Sequence, residues 1–348
     1  MDNFFKIKNI NKYCGKEYIK LFFHRILMVI NMKIRLGYVA ISKALEFTTS
    51  RNLTYTNHLK NDPDNNLKNI DQKIKQNLND LEQLIIYNIR NNFHFYRLTS
   101  KLIPLATKEE VQFDYIDKYQ NYYARIGKLI SKNKIRIDTH PDQYCVLNSV
   151  DKKIVDNSIE MLKYHKEILK ALKINVPIII LHVGSNVFGK QNSITRFKNN
   201  FNKLEKELQQ MIVIENDDKV FDIIDVLSLC DDLKIPMVLD YHHHICNNKE
   251  IDISQYIEKI FNTWNDKKER PKIHFSSPKS KLKKEFRSHH DYINVNEFIE
   301  FIEKIKFLDR DFDIMIEAKM KDEAVCRLVR QLKYKTKYKF IDETTFEV

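Results

Sequence analysis

Short apolar runs recur along this chain, separated by longer stretches whose apolar residues fall three or four apart. The runs are KIRLGY from Lys33, FHFYRL from Phe93, IRIDTH from Ile135 and PIIILHVG from Pro177, then MIVIEND from Met211, PMVLDYH from Pro236, KIHFSS from Lys272 and DIMIEAK from Asp313. Runs of this length read as buried strands. Between the first two lies NLNDLEQLIIYNIRNN, which sets Leu78, Leu81, Ile85 and Ile89 on one helical face; EMLKYHKEILKALK, before the fourth run, has the same period. Eight strands alternating with helices predict an α/β fold, a (β/α)8 TIM barrel over residues 32–348. A doubly wound open sheet is the rival, but the chain has five glycines and no glycine-rich phosphate loop.

Residues 1–31 stand apart as an N-terminal extension of unknown role. Their apolar stretch YIKLFFHRILMVI (18–30) carries Lys20, His24 and Arg25 and is shorter than the roughly 20 residues of a membrane-spanning helix. No small-residue cleavage site follows it, so no secretory signal is expected. Cys14, Cys145, Cys230, Cys246 and Cys326 are odd in number and lack CxxC spacing, which argues against a disulfide framework and for a reducing, intracellular compartment. Lysine and arginine exceed aspartate and glutamate by 59 to 47, a net charge of +12. Such an excess favours a polyanionic partner such as nucleic acid, with a Lys-rich coding bias as the alternative source.

In a barrel of this kind chemistry sits where strands end, at their carboxyl termini. The third run closes with Asp138 and His140, the fourth with His182, the fifth with Glu215, and the sixth with Asp240 and His242 to His244. His274 lies in the seventh, His289 and His290 follow it, and Glu317 closes the eighth. Of twelve histidines, eight fall at or just beyond these ends. Neutral imidazole together with carboxylate suits zinc or manganese, and a carboxylate can bridge two ions. Ions so placed serve phosphodiester hydrolysis, which with the basic charge points to a metal-dependent nuclease.

The chain resembles the UV damage endonucleases of the UvdE type, divalent-metal barrel enzymes related in fold to endonuclease IV. The motifs that carry the resemblance are RLGYVAIS, TTSRNLTYTN, HFYRLTSKLIPLAT, RIDTHPDQYCVLNS, ILHVGS, IENDDKVF, VLDYHHHICN, KIHFSSPK, RSHHDYI and MIEAKMKD, from Met32 to Lys321. It implies incision of duplex DNA immediately 5′ to UV photoproducts, cyclobutane dimers and 6-4 photoproducts, with abasic sites as a further substrate, leaving a 3′-hydroxyl and a 5′-phosphate. Two or three divalent ions are implied, manganese first, with zinc or magnesium as alternatives. His140 and His182 would hold one ion, and Glu215 would bridge it to a second completed by Asp240, His274 and Glu317. His243 and His289 would serve a third, His289 being preferred to His290 by its distance to Ile293.

The family also places a lysine among the metals, here Lys272, whose ammonium beside cations is disfavoured enough to imply a neutral or modified side chain. With Glu215 and Lys108, it is expected to be catalytic. Gln143 and Tyr144 would probe the lesion, Tyr38 would be a third lesion contact, and Arg51, Arg97 and the tract KSKLKKEFR would meet phosphates. One departure stands out: LIPLATK puts Lys108 where the family often has histidine, so positive charge near the scissile phosphate replaces an imidazole. The expected partner is double-stranded DNA carrying UV lesions; no membrane and no obligate protein partner are expected. The alternatives are an abasic-site endonuclease on the same barrel, a metal-dependent sugar isomerase, and a DNA-binding protein that has lost catalysis.

Overall fold

A computed structural model of the protein describes residues 32–60, 63–248 and 250–348; the N-terminal extension expected over residues 1–31 lies outside them. All eight predicted runs form strands: β1 (Lys33–Val39), β2 (Phe95–Leu98), β3 (Arg136–Thr139), β4 (Ile179–His182), β5 (Ile212–Glu215), β6 (Met237–Asp240), β7 (Lys272–Phe275) and β8 (Phe312–Ile316). Each pairs in parallel with the next, and β1 pairs with both β8 and β2, which closes the (β/α)8 barrel. Two short strands were not anticipated, β9 (Lys339–Phe340) and β10 (Thr345–Glu347). The reason for them lies in β1, which meets β2 only at Tyr38 and Val39; β10 pairs antiparallel with the uncovered Lys33–Arg35 segment.

Successive strand side chains point to opposite faces, so each strand serves two environments. Ile179, Leu181, Ile212, Ile214, Met237, Leu239, Ile273 and Ile314 join the large core shared with the helices. Alternate residues Ile178, Ile180, Val213 and Val238 form a separate apolar cluster with Trp264. Many of the other inward positions are charged. Asp313, fully buried, accepts from Arg35 Nε at 2.6 Å and Nη2 at 2.7 Å and from Arg136 Nη1 at 2.8 Å. Above them Lys272 Nζ donates to Asp138 Oδ2 at 2.6 Å, both side chains being inaccessible. Gly37 is required here, because a Cβ would sit 2.5 Å from the Phe95 carbonyl oxygen.

Helix starts follow local chemistry. Asp222 accepts from the Ile224 and Asp225 backbone N–H groups while the Asp225 side chain accepts from the Asp222 N–H, a capping box for the helix Ile223–Leu233. Asp151 and Asn294 cap the helices Lys152–Ala171 and Val295–Ile305 more simply, each side chain accepting from one backbone N–H of the first turn. Among the described residues no helix is long and apolar enough to cross a membrane. Replacing Asp313 by alanine would strand two guanidinium groups in the barrel; Asp313→Ala is expected to lower unfolding stability by about 3–5 kcal/mol, read from urea unfolding.

Candidate metal centre

The carboxyl ends of β3 to β8 bring seven of the eight expected ligands into one cluster. Three groups have ligand atoms within 4.8 Å of one another: His140, His182 and Glu215; Glu215, Asp240 and His243; and Asp240, His274 and Glu317. Glu215 belongs to two groups and so does Asp240. Glu215 Oε2 lies 3.1 Å from His140 Nε2 and 4.0 Å from His182 Nε2, and its Oε1 lies 2.9 Å from His274 Nδ1 and 3.4 Å from His243 Nδ1. Glu317 Oε1 is 3.3 Å from His274 Nδ1.

The VLDYHHHICN run resolves by helix geometry. Tyr241–Asn248 is helical directly after β6, and the His243 N–H donates to Asp240 Oδ1 at 2.7 Å, which turns that first turn back over the strand end. His243 therefore faces the cluster, with Nδ1 3.0 Å from the Asn216 carbonyl oxygen. His242 is buried away from it, edge-on to the His289 ring at 5.6 Å, with Nε2 3.7 Å from Cys246 Sγ. His243 thus groups with Glu215 and Asp240, and His289 is in none of the three groups. Against the effect of burial, Arg97 above all, with His289 adding to it, holds Glu317 well below the usual carboxylate range, whereas the exposed His290 turns to the backbone of Tyr292.

The electrostatics suit cations. Burial, reinforced by Arg97, lowers His140 to about 4, and burial likewise lowers His182 to about 4, so both present neutral imidazoles. His274 is pushed well down by burial and by Arg97. Burial pushes Asp240 up, with Glu215 and Glu317 adding to it and His243 opposing. Burial would lower His243 too, but Asp240 and Glu215 outweigh it and lift the imidazole. Three carboxylates this close repel one another unless a positive charge intervenes. Asp240 Oδ2 and His182 Nδ1 are buried without a hydrogen-bond partner. Orphaned donors among neutral imidazoles and crowded carboxylates fit a set of divalent ions.

Other expected site residues stand elsewhere. Tyr38 is not exposed on the rim where a lesion contact was expected: it points outward from β1 into the helix layer, is fully buried, donates to Asn88 Oδ1 at 2.6 Å and packs on Phe93 and Tyr96. Arg97 is not a surface phosphate contact, because its position on β2 points inward; Nη1 meets Glu317 Oε1 at 2.5 Å and Nη2 meets His274 Nε2 at 2.6 Å. Arg51 is half-buried and committed to Asp80 and the Thr48 carbonyl oxygen. Lys108 is displaced from the ligands, since its ammonium pairs with Glu110 and lies 4.7 Å over the Tyr55 ring. Lys272 lies one layer beneath the ligands as the partner of Asp138; burial pulls it to about 7 against the opposing carboxylate.

Gln143 and Tyr144 are both exposed, Tyr144 by 70%. Gln143 lines a cleft of about 440 Å³ together with His140, His182, His243, Asp217 and Lys219. Two residues missing from the expected set shape this rim. Asn216, buried, exchanges both amide hydrogen bonds with the Asp240 backbone at 2.9 Å and locks the ends of β5 and β6 together. Its adjacency to Glu215 was the available signal. Asp138 was visible as a strand-end carboxylate, but its pairing with Lys272 needed the closed barrel.

A closed barrel whose rim gathers four imidazoles and three carboxylates under an exposed aromatic loop defines a class of α/β barrels equipped to hold divalent ions. The family model for UV-endonuclease UvdE matches residues 34–347. A UV DNA damage endonuclease of Bacillus thuringiensis subsp. konkukian (strain 97-27) is 36% identical over 318 residues, 91% of this chain and 100% of the relative. One of Bacillus cereus (strain B4264) is 37% identical over 303 residues, covering 86% and 95%. The crystal structure of SacUVDE superimposes with a TM-score of 0.78 at 32% identity, covering 86% of this chain and 98% of the other. The chain belongs to the UvdE family of UV endonucleases, and is therefore a DNA-repair endonuclease for UV damage.

Because Glu215 is shared by two ligand groups, Glu215→Gln is expected to lose more bound divalent ion than any single histidine variant. His242→Ala should retain the wild-type content and His243→Ala should not. Elemental analysis of desalted, manganese-loaded protein measures all three.

Proposed function

We propose that this chain incises duplex DNA immediately 5′ to cyclobutane pyrimidine dimers and 6-4 photoproducts, and at abasic sites, leaving a 3′-hydroxyl and a 5′-phosphate. The observation that carries the reading is the junction of the ligand cluster and the exposed loop: Gln143 lines the same cleft as His140, His182 and His243. A backbone phosphate drawn to the cluster thereby brings its neighbouring bases against Gln143 and Tyr144.

The ligands divide as their groups do: His140, His182 and Glu215 would hold one ion, Glu215, Asp240 and His243 a second, and Asp240, His274 and Glu317 a third, with His289 beside the set. Manganese fits this mixture of imidazole and carboxylate. Divalent ions, when bound, polarise phosphate oxygens, acidify water and stabilise the leaving oxygen. Arg97 buries its guanidinium against Glu317 and His274 and so fixes the orientation of both. Lys272 donates to Asp138 one layer beneath the ligands. Tyr144 offers an aromatic face to a base whose stacking the lesion has weakened, and Gln143 can hydrogen-bond base edges. Lys281, Lys283, Lys284 and Arg287, exposed on the loop after β7, supply phosphate contacts that weaken with salt.

The test is nicking of supercoiled plasmid with manganese. UV-irradiated plasmid should be relaxed, undamaged plasmid should not, and EDTA should abolish the difference. Relaxation of both plasmids alike would contradict lesion-directed incision.

A further inference from the structure

Beside the Gln143–Tyr144 loop stands a second exposed aromatic. Phe188, in the loop after β4, is 75% exposed and its neighbour Val187 is 41% exposed. Ser185, three residues earlier, lines the cleft that also contains Gln143. Phe188 forms no aromatic pair among the described residues and does not pack against the core. An apolar residue just before a helix cap commonly packs on the fourth helical residue, but in Lys190–Phe201 that residue is Ser193, so no such staple explains the side chain.

The loop is built to hold Phe188 where it is. Its backbone is left-handed, φ 64°, and it is the one aromatic residue in that conformation among the described residues. For a bulky side chain this conformation is unfavourable and persists only where surrounding contacts impose it. Those contacts are present: the Val187 carbonyl oxygen accepts from Arg196 Nη2 at 2.6 Å and from Ser193 Oγ at 3.2 Å, and the Phe188 carbonyl oxygen accepts from Asn192 Nδ2 at 2.7 Å.

The same network joins this loop to that of Tyr144. Asn148, fully buried, exchanges both amide hydrogen bonds with the Ser185 backbone at 2.7 Å, and Arg196 Nε donates to the Asn148 carbonyl oxygen at 2.9 Å. Two exposed aromatics are thus carried by cross-linked loops, each of which contributes residues to one cleft, Gln143 from the first and Ser185 from the second. A polar solvent-facing loop has no need of a constrained phenylalanine, whereas an unstacked nucleobase offers it a flat apolar face.

We propose that Phe188 is a base-stacking residue that receives a nucleobase unstacked beside the lesion, acting with Tyr144 as the second wall of the recognition cleft. This rests on the DNA-incising function proposed above. Phe188→Ala should raise KM for lesion-containing duplex about 5- to 100-fold, the range of a lost base–aromatic stack, with kcat nearly unchanged. Phe188→Trp should retain activity. Since the chain has one native tryptophan, Trp264, 1% exposed, the introduced indole reports directly. Its emission should fall on rapid mixing with lesion duplex, before incision, and not with undamaged duplex.

Phe188→Gly, which relieves the left-handed strain, should keep or raise Tm while raising KM like the alanine variant. The proposal is overturned if Phe188→Ala incises with wild-type KM, if the tryptophan variant is quenched equally by undamaged duplex or not at all, or if the glycine variant loses Tm, which would make the ring structural. If unaltered protein fails to nick UV-irradiated plasmid, the underlying function falls and this inference with it; failure in the variants alone leaves that function standing.

Discussion

The inward side chains of this barrel form a column of paired charge, and the remaining structure depends on its register. Asp313 is clasped by Arg35 and Arg136, Asp138 by Lys272, and Glu317 by Arg97. Removing such groups from water costs several kcal/mol each unless good pairing and hydrogen bonds offset it. The partners come from different strands far apart in sequence, so only the closed barrel supplies them. On β3, Arg136, Asp138 and then His140 occupy successive inward positions; on β7, Lys272 and His274 do the same. A slip of one residue would bury the other side-chain set and leave every charge without its partner. The column that stabilises the barrel is therefore what aims the ligands at its mouth.

This arrangement divides the barrel unevenly. The apolar inward cluster comes from β4, β5 and β6 with Trp264, while charge is concentrated on β1, β2, β3, β7 and β8. The ligands draw on both halves, with Glu215 and Asp240 rising from the apolar side. Low dielectric beneath those two carboxylates strengthens their interaction with any cation above and raises the cost of leaving them without one. Arg97 answers part of that demand from the opposite wall. Above the ligands, the loops after β3 and β4 are fastened by Asn148 and Arg196, so the exposed aromatics stand on a fixed base.

The number and order of the eight barrel strands and the residues closing them were readable without tertiary information, because apolar runs of fixed length separated by helical periods leave few ways to bury their faces. The same alternation identified His140, His182, Glu215, Asp240, His274 and Glu317 as neighbours, since parallel strands in a barrel all end on one rim. What only the fold decided was the direction of side chains whose surroundings come from distant segments. Tyr38 and Arg97 lie near strand ends and carry groups suited to DNA, yet one faces the helix layer and the other the ligand cluster. Lys108 was drawn aside over the ring of Tyr55, from a separate segment, while pairing with its sequence neighbour Glu110. In the histidine run, the resemblance had named His243, and the turn begun by its N–H on Asp240 is what points it inward. Local pattern determines which residues can share a surface; long-range packing determines which of them turns toward it, because burial and partner charges reach across the barrel and sequence neighbours do not.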